Sequence, residues 1–299
     1  MMMTMNNETT SEKDVLSPAA TAELLRLLIT GERQRVSSTV LDGHTVWIKR
    51  YDVERQPAAK WLHTTLTPLM PAAFLRASPS TNKATAIERE VRKLEAFREA
   101  GLPTAKLLFR NDRVLVLSNV APIAQSELDM LARHGEDGAH DGLLVQAAEA
   151  LRRAHGLGLC HGRPHPRDMF ITSDGRWGFV DFEEEPEAAM PLATAQARDV
   201  WLLFLQICMQ AKRPDTPQMA FDAYFAEPPR LVAEELRRII RFFAPLIPLL
   251  GAIEHWGLGS DGKRVLKATR FLNTALGNAA ATPAEMSQHD IKPKKGYEA

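Results

Sequence analysis

Two rhythms of apolar residues alternate along this chain, and turn residues mark where one gives way to the other. From Gln34 to Tyr51 the period is two: Arg35-Val36-Ser37-Ser38-Thr39-Val40-Leu41, a pause at Asp42-Gly43, then His44-Thr45-Val46-Trp47-Ile48-Lys49. Asp-Gly tolerates the left-handed turn that matches strand twist, so the pattern predicts a β-hairpin. A second hairpin is predicted over Lys106 to Phe109 and Arg113 to Leu117, turning at Asn111-Asp112. Between the hairpins the period lengthens. Ile87, Val91, Leu94 and Phe97 recur at helical spacing, with Gly101 as stop and Pro103 beyond it, which predicts a helix over Ala84 to Ala100. Shorter amphipathic patterns predict helices at Thr21 to Thr30, stopped by Gly31, and at Asp141 to Gly158 through Leu144, Ala147, Ala148, Leu151 and His155. From Ala195 to Gly277 the pattern is helices separated by Pro and Gly. The expectation is an α+β chain with a small antiparallel sheet first and a mainly helical remainder.

The chemistry concentrates between Cys160 and Glu185. His161-Gly162-Arg163-Pro164-His165-Pro166-Arg167-Asp168 is a polar loop, Met169-Phe170-Ile171 a short apolar strand, Ser173-Asp174-Gly175 a turn, and Trp177-Gly178-Phe179-Val180-Asp181 a strand ending on a carboxylate. Pairing across that turn brings Asp168 and Asp181 to one end, where two oxygen ligands can share a divalent metal.

These residues resemble the protein-kinase-like superfamily, whose catalytic loop H-R-D-x-x-x-x-N is followed, after a hairpin, by a magnesium-holding D-F-G. His161 takes the His position, Asp168 the place of the metal-binding Asn, and Asp181-Phe182 the start of D-F-G. The His-Gly-x-x-His-Pro wording is closest to bacterial lipopolysaccharide (Kdo) kinases and aminoglycoside phosphotransferases. Two departures stand out: Arg163 occupies the place of the catalytic Asp, and Glu183 replaces the Gly of D-F-G. Val46-Trp47-Ile48-Lys49 resembles the V-A-I-K strand, whose Lys pairs the α- and β-phosphates. The resemblance makes the Ala84 to Ala100 helix the αC helix and implies a bridge from Lys49 to Glu90, with Glu88 as the competing assignment. It makes Ser118-Asn119-Val120-Ala121 the hinge that presents backbone groups to adenine, and Asp199-Val200-Trp201 the helix start whose Asp anchors the catalytic loop.

The resemblance therefore implies a two-lobed protein-kinase-like fold, with residues 21–120 as the sheet lobe with αC and 121–279 as the helical lobe, while polar composition marks 1–20 and 280–299 as disordered tails. ATP and Mg2+ are the implied cofactors, with Lys49, Glu90, Ser118 and Val120 at the nucleotide, Asp168 and Asp181 at the metal, and Arg163, His165 and Asp181 at the chemistry. No Gly-rich phosphate loop precedes the first hairpin; Gly31 stands alone there.

Composition narrows the function. With 37 basic and 37 acidic residues the net charge is zero, so nothing draws the chain globally to nucleic acid or an anionic membrane. Cys160 and Cys208 sit in apolar surroundings and are read as buried thiols, which suits a reducing cytoplasm. No apolar run is long enough to span a bilayer, which needs about 20 residues. Pro57 to Thr85 is an insertion with two readings: a helical hairpin packed on the small lobe, or, through residues 57–76 with Lys60 and Arg76, a weak peripheral contact on the inner face of a membrane. Asp199 follows Asp181 by only 18 positions, too few for a peptide platform, so a small-molecule or lipid-linked sugar substrate is expected.

Arg163 keeps three functions open. A guanidinium donates only and cannot be the base. An atypical phosphotransferase moves the γ-phosphate to a sugar or small-molecule hydroxyl, with Arg163 neutralising phosphate and His165 or Asp168 taking the proton. A pseudokinase binds nucleotide for regulation or scaffolding alone. A third reading redirects the fold to another transfer such as adenylylation. The acid run Glu183 to Glu185 is read as a solvated turn, the alternative being that one acid joins Asp181 at the metal.

Overall fold

The computed structural model describes residues 16–30, 34–52, 83–227, 231–245, 247–248 and 259–285. Gly31 and nearly all of the 57–85 insertion lie outside them. The described chain is α+β, with a small antiparallel sheet and a mainly helical remainder, as the two rhythms predict.

Both predicted hairpins form. Strands β1 (Val36–Leu41), β2 (His44–Arg50), β3 (Leu107–Arg110) and β4 (Val114–Ser118) make one sheet in the order β1-β2-β4-β3. Asp42 and Gly43 both take positive φ, 50° and 76°, the turn that Asp-Gly favours. At the second turn the Asn111 side chain accepts from the backbone N–H groups of Arg113 and Val114. Strand β4 is buried on both faces, which explains its unbroken apolar sequence. Val114 and Val116 pack with Val46, Ile48 and Leu41 beneath helix α1 (Pro18–Thr30). Leu115 and Leu117 pack on the other side with helix α2 (Lys83–Glu99) through Ile87, Val91, Leu94 and Phe97.

Helix α1 starts at Pro18, within the stretch read as a tail. Ser17 is the reason: its hydroxyl accepts from the Ala20 N–H at 3.1 Å, and Pro18 stands at the first helical position, where no donor is missed. Helix α2 lies within a residue of its predicted span and stops at Gly101, whose φ of 80° closes the last turn.

The sequence reading gave no element to residues 122–136, yet helix α3 (Ala124–His134) forms there, burying Ala124 and Leu128 and ending at Gly135 with φ 72°. Helix α4 (Asp137–Gly156) begins four residues before its predicted start at Asp141. The central hairpin is strands β5 (Met169–Ile171) and β6 (Trp177–Phe179). Beyond it come α5 (Leu192–Gln210), α6 (Thr216–Phe225), α7 (Val232–Phe243) and α8 (Ser260–Glu285), the last running six residues past 279 through Ala279-Ala280-Ala281, strong helix formers. Helix α5 is the hub, burying Val200, Leu203, Phe204, Ile207 and Cys208 against α6, α7 and α8. Cys160 and Cys208 are free and buried, as read from the sequence. Among the described residues no helix is long and apolar enough to cross a membrane.

Candidate functional site

The β5–β6 hairpin does what its sequence requires. Met169 pairs with Phe179 and the Val180 N–H donates to the Asp168 carbonyl at 2.9 Å, so Asp168 and Asp181 emerge at the same end. Gly178 is needed there, since an added Cβ would lie 2.3 Å from the Phe170 ring and 2.6 Å from the Pro103 carbonyl oxygen. Asp181 takes φ 67°, a left-handed conformation that Asp adopts more readily than most residues with a Cβ.

Strand β2 aims Lys49 at that end. Its ammonium donates to Glu90 Oε1 at 2.6 Å and to Asp181 Oδ1 at 2.7 Å. The expected partner is thus Glu90: it is buried on the face of α2 shared with Ile87, Val91 and Leu94, whereas Glu88 is exposed. Burial works against the Lys49 charge, but the carboxylates of Glu90, Asp181 and Glu183 outweigh it and hold the ammonium above its ordinary range. Burial pushes the Glu90 carboxyl up, opposed by Lys49 and by the Tyr51 hydroxyl, which donates to its second oxygen. Asp181 is held below the usual carboxylate range: burial would raise it, but Lys49, then His161 and Arg163, win.

Asp168 differs. It is buried, its Oδ2 has no hydrogen-bond partner, and burial together with the Asp181 charge raises it to about 7 against the pull of Arg167 and Arg163. The tightest group of potential ligand oxygens among the described residues is Glu90, Asp181 and Glu183, all within 4.8 Å, and Asp168 lies outside it. That trio is already engaged, with Lys49 on Glu90 and Asp181 and with Arg35 on Glu183 at 2.6 Å. The orphaned Asp168 oxygen beside Asp181 is the feature that fits a cation.

Around these acids the loop from Cys160 is rigidly held. Buried Asp199 accepts from the His161 N–H at 2.7 Å, the Gly162 N–H at 3.0 Å and the Cys160 thiol at 3.3 Å. Burial would raise Asp199, yet hydrogen bonding and charge from His155, then His161 and the Gly162 N–H, lower it to about 2. His155 is therefore a core histidine, sandwiched between Tyr224 and Asp199. Gly162 has φ 103°, and a Cβ there would sit 2.6 Å from the Glu184 carbonyl oxygen. His161 packs among Phe97, Phe179 and Phe182, bonds the Val180 carbonyl through Nε2 at 2.9 Å, and is pushed down by burial.

Arg163 is 37 % exposed, with Nη2 3.8 Å from Asp181 Oδ2 and Nε 3.7 Å from Glu184 Oε1. His165 caps the short turn Pro166–Asp168, its Nδ1 accepting from the Arg167 N–H at 3.1 Å, and burial with Arg167, Arg264 and Arg163 lowers it to about 4. Its imidazole is neutral and its acceptor nitrogen is taken. Ser118 and Val120 stand at the end of β4 with their side chains engaged elsewhere: the Ser118 hydroxyl accepts from the Lys106 N–H, and Val120 packs into the core beneath the sheet.

The acid run after Phe182 is no solvated turn. Arg35 holds Glu183, Arg198 holds Glu184 at 2.9 Å, Arg92 holds Glu185 at 2.6 Å, and Lys93 holds Glu187 at 2.8 Å. Lys93 also donates to the carbonyls of His161 and Glu184. These partners sit just before β1 and on α2 and α5, so no local sequence pattern announces them. Tyr51 was likewise missed; it lies one residue past the end of β2, and its signal was a Tyr two residues beyond Lys49.

No family model matches the chain. Over 100 residues it is 35 % identical to the protein Activity of BC1 complex kinase 1, chloroplastic, of Arabidopsis thaliana. The match takes in 31 % of this chain and 14 % of that protein's length.

Proposed function

We propose that this chain has a two-lobed, protein-kinase-like fold and acts as an atypical ATP-dependent phosphotransferase toward a small-molecule or lipopolysaccharide-type sugar hydroxyl. The observation that carries the reading is the Lys49 ammonium held between Glu90 at 2.6 Å and Asp181 at 2.7 Å. A buried lysine kept charged by two acids, beside a third acid with an orphaned oxygen, suits a triphosphate and its cation. The likeness to a protein named as a kinase supports the same class. Lys49 would bind phosphate oxygens, with Glu90 and Tyr51 fixing its direction. Asp168 and Asp181 would hold magnesium, which when bound neutralises charge on the phosphates. Arg163, beside Asp181, is placed to donate to a phosphate oxygen rather than to take a proton, and His165 has no free acceptor. Loss of a general base forfeits typically about 10²–10⁴-fold and leaves positioning and charge neutralisation in place. The short gap from Asp181 to Asp199, filled by a pinned acidic segment, supports a small acceptor. A cytoplasmic setting, with or without peripheral membrane contact through 57–76, belongs to the same reading.

One observation favours the alternative, a pseudokinase that binds nucleotide as a regulatory or scaffold protein. The Arg163 guanidinium stands 3.8 Å from Asp181 Oδ2, where it supplies positive charge to the acid that would hold the metal.

Incubation with γ-labelled ATP and magnesium decides between them. Label transferred to acceptor or water by wild type, and lost in Lys49→Met and Asp181→Ala variants that still fold, is the expected result. Nucleotide binding that ignores magnesium, with no label moved, favours the pseudokinase. Absence of nucleotide binding overturns both.

A further inference from the structure

Three arginines gather beside the acids at the end of the β5–β6 hairpin. The charges of Arg167, Arg264 and Arg163 all reach the His165 ring. That ring is fixed between them: its Nδ1 accepts from the Arg167 N–H at 3.1 Å, and it is also hydrogen-bonded to the Gln206 side chain on α5. Arg264 belongs to the first turns of α8, which packs on α5, so the fold itself brings this third guanidinium to the loop.

None of the three is drawn tight to an acid. Arg163 Nη2 stands 3.8 Å from Asp181 and its Nε 3.7 Å from Glu184, Arg167 Nε is 3.7 Å from Asp168, and Arg264 Nη1 is 3.3 Å from Asp261. A charge-assisted N–H···O bond closes to about 2.7–2.9 Å. The arginines that pin the acidic segment do close: Arg35 on Glu183 at 2.6 Å and Arg198 on Glu184 at 2.9 Å. Arg264 Nε is buried with no hydrogen-bond partner among the described residues. The Arg167 and Arg264 side chains are 57 % and 41 % exposed, within reach of a ligand. Asp168 and Asp181 are assigned to a cation and Glu184 already serves Arg198, so the acids nearest the cluster are committed elsewhere and positive charge is left over.

We propose that Arg167 and Arg264 form an acceptor subsite for a negatively charged group, so that the hydroxyl compound this protein phosphorylates is itself an anion, a sugar acid or a sugar phosphate. This rests on the phosphotransferase reading given above. A guanidinium fork matches the paired oxygens of a carboxylate or a phosphate, and it repels an ammonium, which makes amino sugars poor ligands. Arg163, beside Asp181, stays with the transferring phosphate.

The experiment is calorimetric titration of the full-length protein, its nucleotide site filled with magnesium and a non-hydrolysable ATP analogue, with glucuronate, glucose 6-phosphate, glucose and glucosamine. Wild type, Arg167→Gln and Arg264→Gln are compared. The expected result is that at least one of the two anions binds about tenfold or more tighter than glucose, that glucosamine binds weakest, and that each variant loses about fivefold or more in anion affinity with its Kd for the analogue unchanged. Which anion binds tighter tells carboxylate from phosphate. No anion binding, glucose or glucosamine binding as tightly as the anions, or anion affinity unchanged in both variants overturns the subsite and leaves the phosphotransferase reading standing. Arginine-dependent anion binding in a protein that transfers no label from γ-labelled ATP overturns the acceptor role together with that reading, as does failure of wild type to bind the analogue.

Discussion

Asp199 and Asp168 are both buried, both face the loop from Cys160, and titrate in opposite directions, to about 2 and about 7. The difference lies in their partners. Asp199 accepts from two backbone N–H groups, a thiol and a histidine, so its charge is fully solvated by protein. Asp168 has an oxygen with no donor and a second acid nearby. One carboxylate holds the loop in shape. The other stores an unmet demand for positive charge, the signature expected of a ligand-binding acid rather than a structural one.

The largest effect follows from removing the satisfied acid. Asp199→Ala leaves the His161 and Gly162 N–H groups without an acceptor and opens a buried hole, so unfolding stability falls by about 3 kcal/mol or more, read as a lower urea midpoint. If Asp199→Ala proves nearly neutral, the contrast between the two acids collapses.

Asp168 predicts a pH effect of the opposite kind. Its folded pKa lies above its unfolded one, so the protonated, neutral form is favoured by folding. Its stabilisation is complete below about 4, declines as pH rises, and is gone above about 7, where folding must bury the charge. Asp168→Asn therefore flattens the fall in melting temperature between pH 4 and pH 7, and its gain over wild type is largest at and above pH 7 in the absence of divalent cation. A gain confined to acid pH contradicts the assignment.

The smallest effect is at the rim of the acidic segment. Arg92 is 60 % exposed, and Arg92→Ala shifts stability by about 0.5 kcal/mol or less. Arg35→Ala, whose side chain is 26 % exposed against a Glu183 that is 15 % exposed, costs more and is less sensitive to salt. Equal costs for the two arginines would mean that depth of burial does not rank these pairs.

Much of this frame was legible in the chain. Asp42-Gly43 specified one hairpin, Gly101 ended α2, and the apolar spacing of α2 put Glu90, three residues after Ile87, on its buried side. Ser17-Pro18 gave the true start of α1 but was passed over for the polar composition upstream. What was not legible is long-range pairing: Arg35 meets Glu183 across 148 positions and Arg92 meets Glu185 across 93, separations at which no period survives. The acid run looked solvated because its cations lie on other elements.

Lys93 ends the chain of consequences. It is 5 % exposed and gives its protons to His161 O, Glu184 O and Glu187, while Glu90, one helical turn earlier, holds Lys49. Swinging α2 outward to release Lys49 would strip three oxygens from a buried ammonium in the same movement. Lys93 therefore ties the position of α2, and with it the Lys49–Glu90 pair, to the backbone at His161 and Glu184 and to the Glu187 carboxylate.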